Sequence, residues 1–327
     1  MNAIEYKKYG APEVFEYNQV SRPKPKSNEV LVKVHSSTVT AADIMMRKGK
    51  PLIGRLYLGI KRPKRTILGF EFAGEVVEIG NNVARFKPGD KVFGGTTALG
   101  CYSEYACINE NDVITTMPEG ISYEEASPVS GSAITVFNFF VRLAKIKKGQ
   151  KILIIGASGG LGTYAIQIAK HFGAIVTGVC STDNVNLVKS LGADKVIDYT
   201  KADFTQNGER YDIIFDTVNK SSFSKYKNSI VENGIYLPTV FGFKTMFQML
   251  KSSIVGGKKI KSSSTGMLPV KTRLIYFEEI KKLLATGGIR TVIDKKYSLN
   301  QMAEAHSYVE KGHKKGNVVI EINSNYQ

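Results

Sequence analysis

The spacing of apolar residues changes along the chain and divides it into regions with different predicted folds. From residue 151 onward, short apolar runs such as KILIIGA, AIVTGVC and YDIIFDTV alternate with stretches at helical spacing such as TYAIQIAKHFGA. A continuous β-branched run is typical of a strand buried on both faces. DKVIDY and GIYLPTV continue the strand series, with helices predicted at NVNLVKSLGA and around FSKYKNSIVENG. This alternation predicts an α/β fold with a doubly wound parallel sheet.

The first 120 residues have a different pattern. NEVLVKVHSSTV, EFAGEVVEIG, DKVFG and YSEYACIN read as strands separated by Gly, Pro and Asn clusters, with no long helix before SYEEASPVSGSAITVF. This pattern predicts an antiparallel, β-rich domain. The C-terminal part adds two helices, TRLIYFEEIKKLLATGG and LNQMAEAHSYVEKG, and a final strand, NVVIEI.

The strand KILIIGA leads into a glycine turn that opens a helix. Gly156, Gly159 and Gly162 are each separated by two residues. Gly159 and Gly160 allow the backbone to approach a pyrophosphate, and the helix N-terminus presents free N–H groups. We therefore predict a dinucleotide site, although a tight turn without a ligand is the alternative. The candidate residues in the turn are Ser158, Gly159, Gly160 and Leu161.

The net charge of +16 is concentrated near the two ends of the chain. Residues 1–65 carry 14 Lys and Arg against 5 Asp and Glu, and residues 241–327 carry 15 against 6. Such an excess suggests an anionic partner: a phosphorylated cofactor, an acyl thioester, an acidic membrane surface or nucleic acid. A solvated basic surface without a dedicated partner explains the charge equally well.

Other sequence features favour a cytoplasmic protein without a membrane span. No apolar run reaches the roughly 18 residues that a transmembrane helix needs. The N-terminal sequence MNAIEYKKYG lacks the apolar stretch of a secretory signal. The three cysteines form no Cys-x-x-Cys pair, so we expect neither a disulfide framework nor a thiolate metal site.

Several motifs together resemble the medium-chain dehydrogenase/reductase superfamily, and within it the zinc-independent quinone oxidoreductases. The motifs are VTAADIMMRKG, ILGFEFAGEVVEIG, FKPGDKVFG, the GASGGLG turn and GHKKGNVVIEI. The resemblance implies a GroES-like catalytic domain from residues 1–122 and 268–327, with a Rossmann domain at 123–267. We also expect a homodimer.

The resemblance allows zinc binding to be assessed residue by residue. Zinc-dependent relatives have a cysteine where this chain has Thr40 and a histidine where it has Phe70. A third ligand would fall near residues 127–131, where none is present. Because catalytic zinc needs about three side-chain ligands, we expect no metal. Without a Lewis acid, a quinone or another conjugated acceptor is easier to reduce than a simple ketone, since ordinary hydrogen-bond donors can hold its charge.

The resemblance also suggests catalytic residues. Thr40 and Asp43 match polar positions beside the nicotinamide in the family. Tyr57 lies in the loop where related reductases carry a proton-donating tyrosine. A packed or surface tyrosine and a bracing aspartate are the alternative interpretations of Tyr57 and Asp43.

Cofactor contacts are suggested at several other positions. A strand end carrying Ser181 and Thr182, with no acidic residue at that position, favours the 2′-phosphate of NADPH. In the resemblance Tyr199 lies beside the same phosphate, whereas Asp183 argues against NADPH because its charge would repel the phosphate. The remaining candidates are Thr135, Thr217, Val240, Phe241, Lys315 and Asn317.

These observations favour an NADPH-dependent reductase of quinones or α,β-unsaturated carbonyls. A catalytically weak nucleotide-binding or membrane-associated relative is one alternative, and a nucleic-acid-binding module, suggested by charge alone, is another. Segment 241–261 mixes Phe, Met and Lys. We expect a lid or domain-edge helix there with a solvated lysine face, with a membrane-surface helix as the alternative.

Overall fold

The chain folds into two compact units that contain different kinds of sheet. The computed structural model describes residues 1–220, 223–240, 242–255 and 257–322. One unit combines Met1–Gly131 with the described part of Thr291–Gln327, and the other is Ser132–Arg290.

The strands and α-helices are numbered in chain order. The strands are β1 (Asn2–Tyr6), β2 (Phe15–Gln19), β3 (Glu29–Thr38), β4 (Glu71–Ile79), β5 (Lys91–Gly95), β6 (Tyr105–Asn109), β7 (Val113–Thr116), β8 (Lys151–Ile155), β9 (Ile175–Cys180), β10 (Lys195–Asp198), β11 (Tyr211–Asp216), β12 (Ile230–Pro238), β13 (Lys259–Ile260), β14 (Ile293–Ser298) and β15 (Asn317–Glu321). The helices are α1 (Ala41–Lys48), α2 (Arg55–Leu58), α3 (Tyr123–Ala126), α4 (Val129–Phe137), α5 (Gly160–His171), α6 (Val185–Ser190), α7 (Phe223–Tyr226), α8 (Phe243–Val255), α9 (Val270–Ala285) and α10 (Met302–Glu310).

The first unit is the β-rich unit. A seven-stranded sheet runs in the order β14-β15-β3-β4-β5-β7, with β6 paired to β3, while β1 and β2 form a separate pair. Neighbouring strands are antiparallel except β14 and β15, which are parallel. The C-terminal strand β15 pairs with β3, so both parts of the chain build one sheet. The predicted antiparallel β-rich domain is confirmed.

The second unit contains a fully parallel six-stranded sheet. Its strand order is β10-β9-β8-β11-β12-β13. This is the order 3-2-1-4-5-6 of a doubly wound nucleotide-binding sheet. Ile152, Leu153 and Ile154 are all buried because the central strand β8 is covered on both faces. The α/β fold predicted from the apolar runs is confirmed.

The boundaries of the units differ from the expected domain limits. Residues 123–131 belong to the β-rich unit and residues 268–290 to the parallel-sheet unit. Helix α9 explains the second difference, because its Tyr276 ring packs 5.3 Å from the Phe137 ring and its Phe277 is fully buried. The sequence pattern of α9 showed a helix without showing which sheet it covers.

Two segments differ from their sequence interpretation. In FSKYKNSIVENG only α7 is α-helical, and the IVENG residues already belong to strand β12. The helix expected within 241–261 is present as α8, and it exposes large apolar side chains as well as Lys251. The exposed apolar side chains of α8 are Met246, Phe247, Leu250 and Ile254.

Candidate active site

The glycine turn between β8 and α5 has the geometry of a phosphate site. Gly156 has a left-handed backbone with φ +77°, and Gly159 is the N-cap of α5. Within the described chain no side chain caps this helix. The N–H groups of its first turn, at Gly160 and Leu161, are therefore available to a ligand, and the helix dipole favours an anion there.

The three spaced glycines of the turn meet different steric demands. A Cβ at Gly162 would lie 2.2 Å from the carbonyl oxygen of Gly156, so the helix can approach the turn only without a side chain there. A Cβ at Gly159 would meet only the Gly156 oxygen, at 3.5 Å. The protein itself does not require glycine at position 159, which fits an approach by a ligand. Ser158 lies half-buried beside it in the turn.

Thr217 supports the glycine turn from the neighbouring strand. Its hydroxyl donates to the carbonyl oxygen of Ile155 at 2.8 Å, and a Cβ at Gly156 would lie 2.4 Å from that hydroxyl oxygen. Because its hydrogen is used inside the protein, Thr217 acts on a ligand mainly by fixing the shape of the turn.

The predicted ribose end of the site contains a carboxylate that sequence reasoning missed. The hydroxyl of Ser181 accepts from Asn184 at 2.9 Å, and no acceptor for its own hydrogen is found among the described residues. Thr182 instead donates its hydrogen to Asp198 at 2.6 Å. Hydrogen bonds from Thr182 and Thr200 lower the pKa of Asp198 to about 2, so this group is charged at neutral pH. Asp198 ends β10 beside the end of β9, and this position in the sequence could have indicated an acidic residue near the ribose.

The other cofactor candidates of this unit lie at strand ends or on a helix. Tyr199 follows β10 with 56% of its side chain exposed, and Asp183 is exposed in the turn after β9. Val240 is exposed beyond β12, and Thr135 is half-buried on α4. Phe241 lies outside the described residues.

In the β-rich unit, Thr40 and Asp43 form one hydrogen-bonded group. Thr40 is the N-cap of α1, and its hydroxyl donates to Asp43 Oδ2 at 2.6 Å. The Thr40 N–H donates to the same oxygen at 2.9 Å. Burial raises the pKa of Asp43 to about 6, although the bonds from Thr40 oppose the shift. The bracing role is therefore present, and while Asp43 is ionised it holds the Thr40 hydrogen.

Glu71 is a buried carboxyl that the sequence did not single out as a functional residue. The hydroxyl of Thr38 donates to it, and burial raises its pKa to about 8. Electrostatic repulsion from Asp43 raises this pKa further, whereas the ammonium of Lys314 opposes the shift. A Cβ at Gly131 would lie 2.1 Å from Glu71 Oε1, so this corner is tightly packed. Glu71 is the first of three glutamates in β4, and the sequence alone did not show that it is the buried one.

The two tail residues predicted to contact the cofactor differ in their surroundings. Asn317 is buried, and both its backbone N–H and its side-chain amide donate to the carbonyl oxygen of Val292. Lys315 is exposed, and its N–H donates to Asp294. The neighbouring Lys314 is half-buried, and partial removal from water lowers the pKa of its ammonium group.

Tyr57 lies on α2 and lines a cavity of about 180 Å³ in the β-rich unit. Its side chain is 72% exposed, so its hydroxyl is accessible. Two cationic residues, Lys64 and Arg65, line the same cavity and were not identified from the sequence. The remaining lining residues are Tyr6, Leu58, Thr97 and Leu99.

The residues at the family's zinc position do not fit a metal ion. Thr40 is engaged in the helix cap, and position 70 carries an aromatic ring. Across the described residues, no three His, Cys, Asp or Glu side chains are grouped as metal ligands would be.

The described helices are too short or too polar to cross a bilayer.

Comparison with known proteins connects these two units to one family. Residues 26–119 match the family model of the alcohol dehydrogenase GroES-like domain, and residues 191–320 match that of the zinc-binding dehydrogenases. A chloroplastic quinone-oxidoreductase homolog of Spinacia oleracea is 32% identical, with 98% of each chain covered. The mitochondrial NAD(P)H oxidoreductase RTN4IP1 of Mus musculus is 31% identical over 96% of this chain and 87% of its own.

A solved structure extends the similarity to the whole fold. The quinone oxidoreductase of Escherichia coli, in complex with NADPH, superposes with a TM-score of 0.85 at 25% identity, covering 98% of this chain and 100% of the other. The chain belongs to the medium-chain dehydrogenase/reductase superfamily, in its quinone oxidoreductase-like branch. It is an oxidoreductase of that type, and its cofactor is a nicotinamide dinucleotide.

Proposed function

We propose that this protein is a zinc-independent, NADPH-dependent reductase of quinones or α,β-unsaturated carbonyl compounds. The observation that carries the substrate class is the side-chain chemistry around Thr40 and Phe70. A helix-capping hydroxyl and a phenyl ring cannot polarise a carbonyl as a metal does. A conjugated acceptor removes this need because its developing charge spreads onto an oxygen that hydrogen-bond donors can hold.

The nicotinamide cofactor, when bound, would supply the hydride. The turn from Ser158 to Leu161 would hold its pyrophosphate on the free N–H groups of α5. Preference for NADPH is supported by the available hydrogen of Ser181 and by the exposed phenol of Tyr199. Lys201, 3.7 Å from Asp198, partly offsets the charge of that carboxylate.

The cavity beneath α2 provides suitable groups for the acceptor. Tyr57 would donate a proton or a hydrogen bond to the enolate or phenolate oxygen. Lys64 and Arg65 line the same cavity and would stabilise the negative charge that develops there.

The test is a panel of acceptors with NADPH oxidation followed by absorbance. We expect turnover with quinones and enones, little with the matching saturated ketones, and no loss of activity to a zinc chelator. Tight NADPH binding without turnover on any acceptor would favour the catalytically weak nucleotide-binding alternative. Stoichiometric zinc whose removal abolishes activity would contradict zinc independence.

A further inference from the structure

A segment of the β-rich unit is rich in basic side chains and lacks acidic ones. Between Ile44 and Phe70 the chain has eight Lys and Arg and no Asp or Glu. Two of the eight, Arg47 and Lys48, pair with Glu310. No acidic side chain of the described residues forms an ion pair with the exposed ones. The exposed basic residues are Lys50, Lys61, Arg62, Lys64 and Arg65.

The same segment exposes a cluster of large apolar side chains. Five of them within nine residues are between 61% and 72% exposed, namely Leu52, Ile53, Leu56, Tyr57 and Ile60. Single exposed apolar residues are ordinary on a protein surface, but a contiguous group rimmed by polar residues marks an interaction site. Residues 50–65 are called the basic apolar segment below.

Polar side chains hold this segment from its inner side. The guanidinium of Arg55 turns inward, 4.4 Å from the centre of the Tyr9 ring, and its Nε donates to the carbonyl oxygen of Gly49 at 3.0 Å. The Tyr9 hydroxyl donates to the carbonyl oxygen of Gly59 at 2.6 Å. The fold therefore anchors a charged residue inside and presents leucines and isoleucines outside, the reverse of an ordinary surface helix.

An anionic lipid surface satisfies both features of the segment. Cations at a headgroup region gain electrostatic attraction, and apolar side chains beside them can enter the acyl boundary. A second copy of the same segment would bring like charges together. An RNA would pair with the cations and leave the aliphatic side chains in water. We propose that the basic apolar segment docks this protein onto the surface of an anionic lipid bilayer.

Docking at this segment has a consequence for the substrate. Tyr57 belongs both to the exposed cluster and to the lining of the 180 Å³ cavity. A lipophilic acceptor dissolved in the bilayer would therefore reach the cavity without crossing water. This consequence rests on the proposed reductase function, whereas docking itself does not and can be measured without turnover.

Vesicle co-sedimentation tests the proposal. Full-length protein is mixed with phosphatidylcholine vesicles with or without phosphatidylserine. We expect binding only with phosphatidylserine, weakened by added salt because the charges are at the surface. Leu56→Glu should weaken this binding at least about tenfold, since it removes an inserted side chain and adds a repelled charge. Ile275→Glu, an equal change at an exposed position on α9, is the matched control.

A second variant tests the electrostatic part. Lys61→Gln combined with Arg62→Gln should weaken vesicle binding on the order of 20-fold, at about fivefold per charge. Thermal melts of all variants should match the wild type, because the changed side chains are exposed. Failure of the wild type to bind phosphatidylserine vesicles, or equal loss in Ile275→Glu, would overturn the proposal. Binding of a single-stranded RNA that Leu56→Glu leaves unchanged, without vesicle binding, would assign the segment to nucleic acid.

Discussion

The hydroxyl of Thr182 is bonded to Asp198, and this contact changes how the ribose end of the cofactor site is interpreted. From the strand ending alone, Thr182 was expected to donate to a 2′-phosphate. Its hydrogen is committed to a carboxylate whose pKa is lowered to about 2. Any phosphate that approaches Thr182 therefore comes near a permanent negative charge.

We predict that Asp198→Asn shifts the binding preference toward NADPH. Removing this charge lessens the electrostatic repulsion of a bound 2′-phosphate, and salt screens the interaction, so the gain should be modest. The ratio of the NADH to the NADPH dissociation constant should therefore rise by roughly 2-fold to 5-fold, as measured by fluorescence titration. The amide oxygen of Asn can still accept from Thr182, which preserves the local geometry.

Asp183→Asn is the matched control, because it removes a neighbouring exposed carboxylate that makes no bond to Thr182. A larger shift in this control than in Asp198→Asn would show that Asp183 is the acidic residue near the ribose.

At the scale of elements, the turn between β8 and α5 separates a packing requirement from a binding requirement. Gly162 is needed because its missing side chain lets α5 approach the carbonyl of Gly156. A Cβ at Gly159 would meet no close protein atom, so packing does not require glycine there. We infer that the missing side chain leaves room for a ligand at the helix N-terminus.

We predict that Gly162→Ala and Gly159→Ala have different effects. Gly162→Ala should destabilise the protein by about 1–3 kcal/mol, since a methyl group is forced onto backbone. Gly159→Ala should cost less than about 1 kcal/mol as an N-cap change, yet weaken NADPH binding at least about tenfold as the methyl group displaces the pyrophosphate. Chemical denaturation and NADPH titration of both variants measure this. Equal stability losses would contradict the distinction.

At the scale of the whole molecule, buried ionisable groups set the pH range of stability. His306 is fully buried between the rings of Phe15 and Tyr102, and its ring nitrogens find no hydrogen-bond partner among the described residues. Burial, assisted by the nearby Arg47, lowers its pKa to about 3. Between this value and the usual 6.5, the unfolded chain binds a proton that the folded chain rejects, so this group reduces stability as the pH falls.

We predict that His306→Leu reduces the acid sensitivity of the protein. From about pH 7 to about pH 5, the wild-type histidine should contribute a loss of about 2 kcal/mol in the free energy of unfolding. Urea denaturation of wild type and variant at both pH values measures the difference. His313→Leu, which replaces an exposed histidine, is the control. The same pH dependence in His306→Leu and wild type would exclude His306 as the cause.

Glu71 acts in the opposite direction. Its pKa is raised to about 8, so between about 4.5 and 8 the folded chain holds a proton that the unfolded chain releases. The stability from this group is present at low pH and is lost as the pH rises toward 8. Glu71→Gln should therefore remove a loss of stability that the wild type shows as the pH rises from about 5 to about 7, which the same urea denaturation series measures.

The sequence by itself determined the two kinds of sheet and the location of the glycine turn. KILIIGA and NEVLVKVHSSTV carry apolar patterns whose period depends only on whether one or both faces of a strand are buried. Local steric demands likewise identify Gly156 and Gly162, because a turn from strand into helix needs them at fixed spacing. Family resemblance then supplied the domain pairing and the expected zinc position.

Only the tertiary structure decided which polar groups meet. Thr182 and Asp198 follow and end different strands, yet they form a hydrogen bond. Glu71 and Lys314 are far apart in sequence, yet the lysine affects the pKa of the carboxyl group. The side-chain amide of Asn317 donates to the carbonyl oxygen of Val292. Periodicity shows which face of an element is buried, but hydrogen-bond partners depend on register and packing between elements. For the same reason the sequence did not reveal the exposed apolar side chains of α8 and of the basic apolar segment. A pattern of Leu, Ile and Lys does not show whether another element covers the apolar side chains.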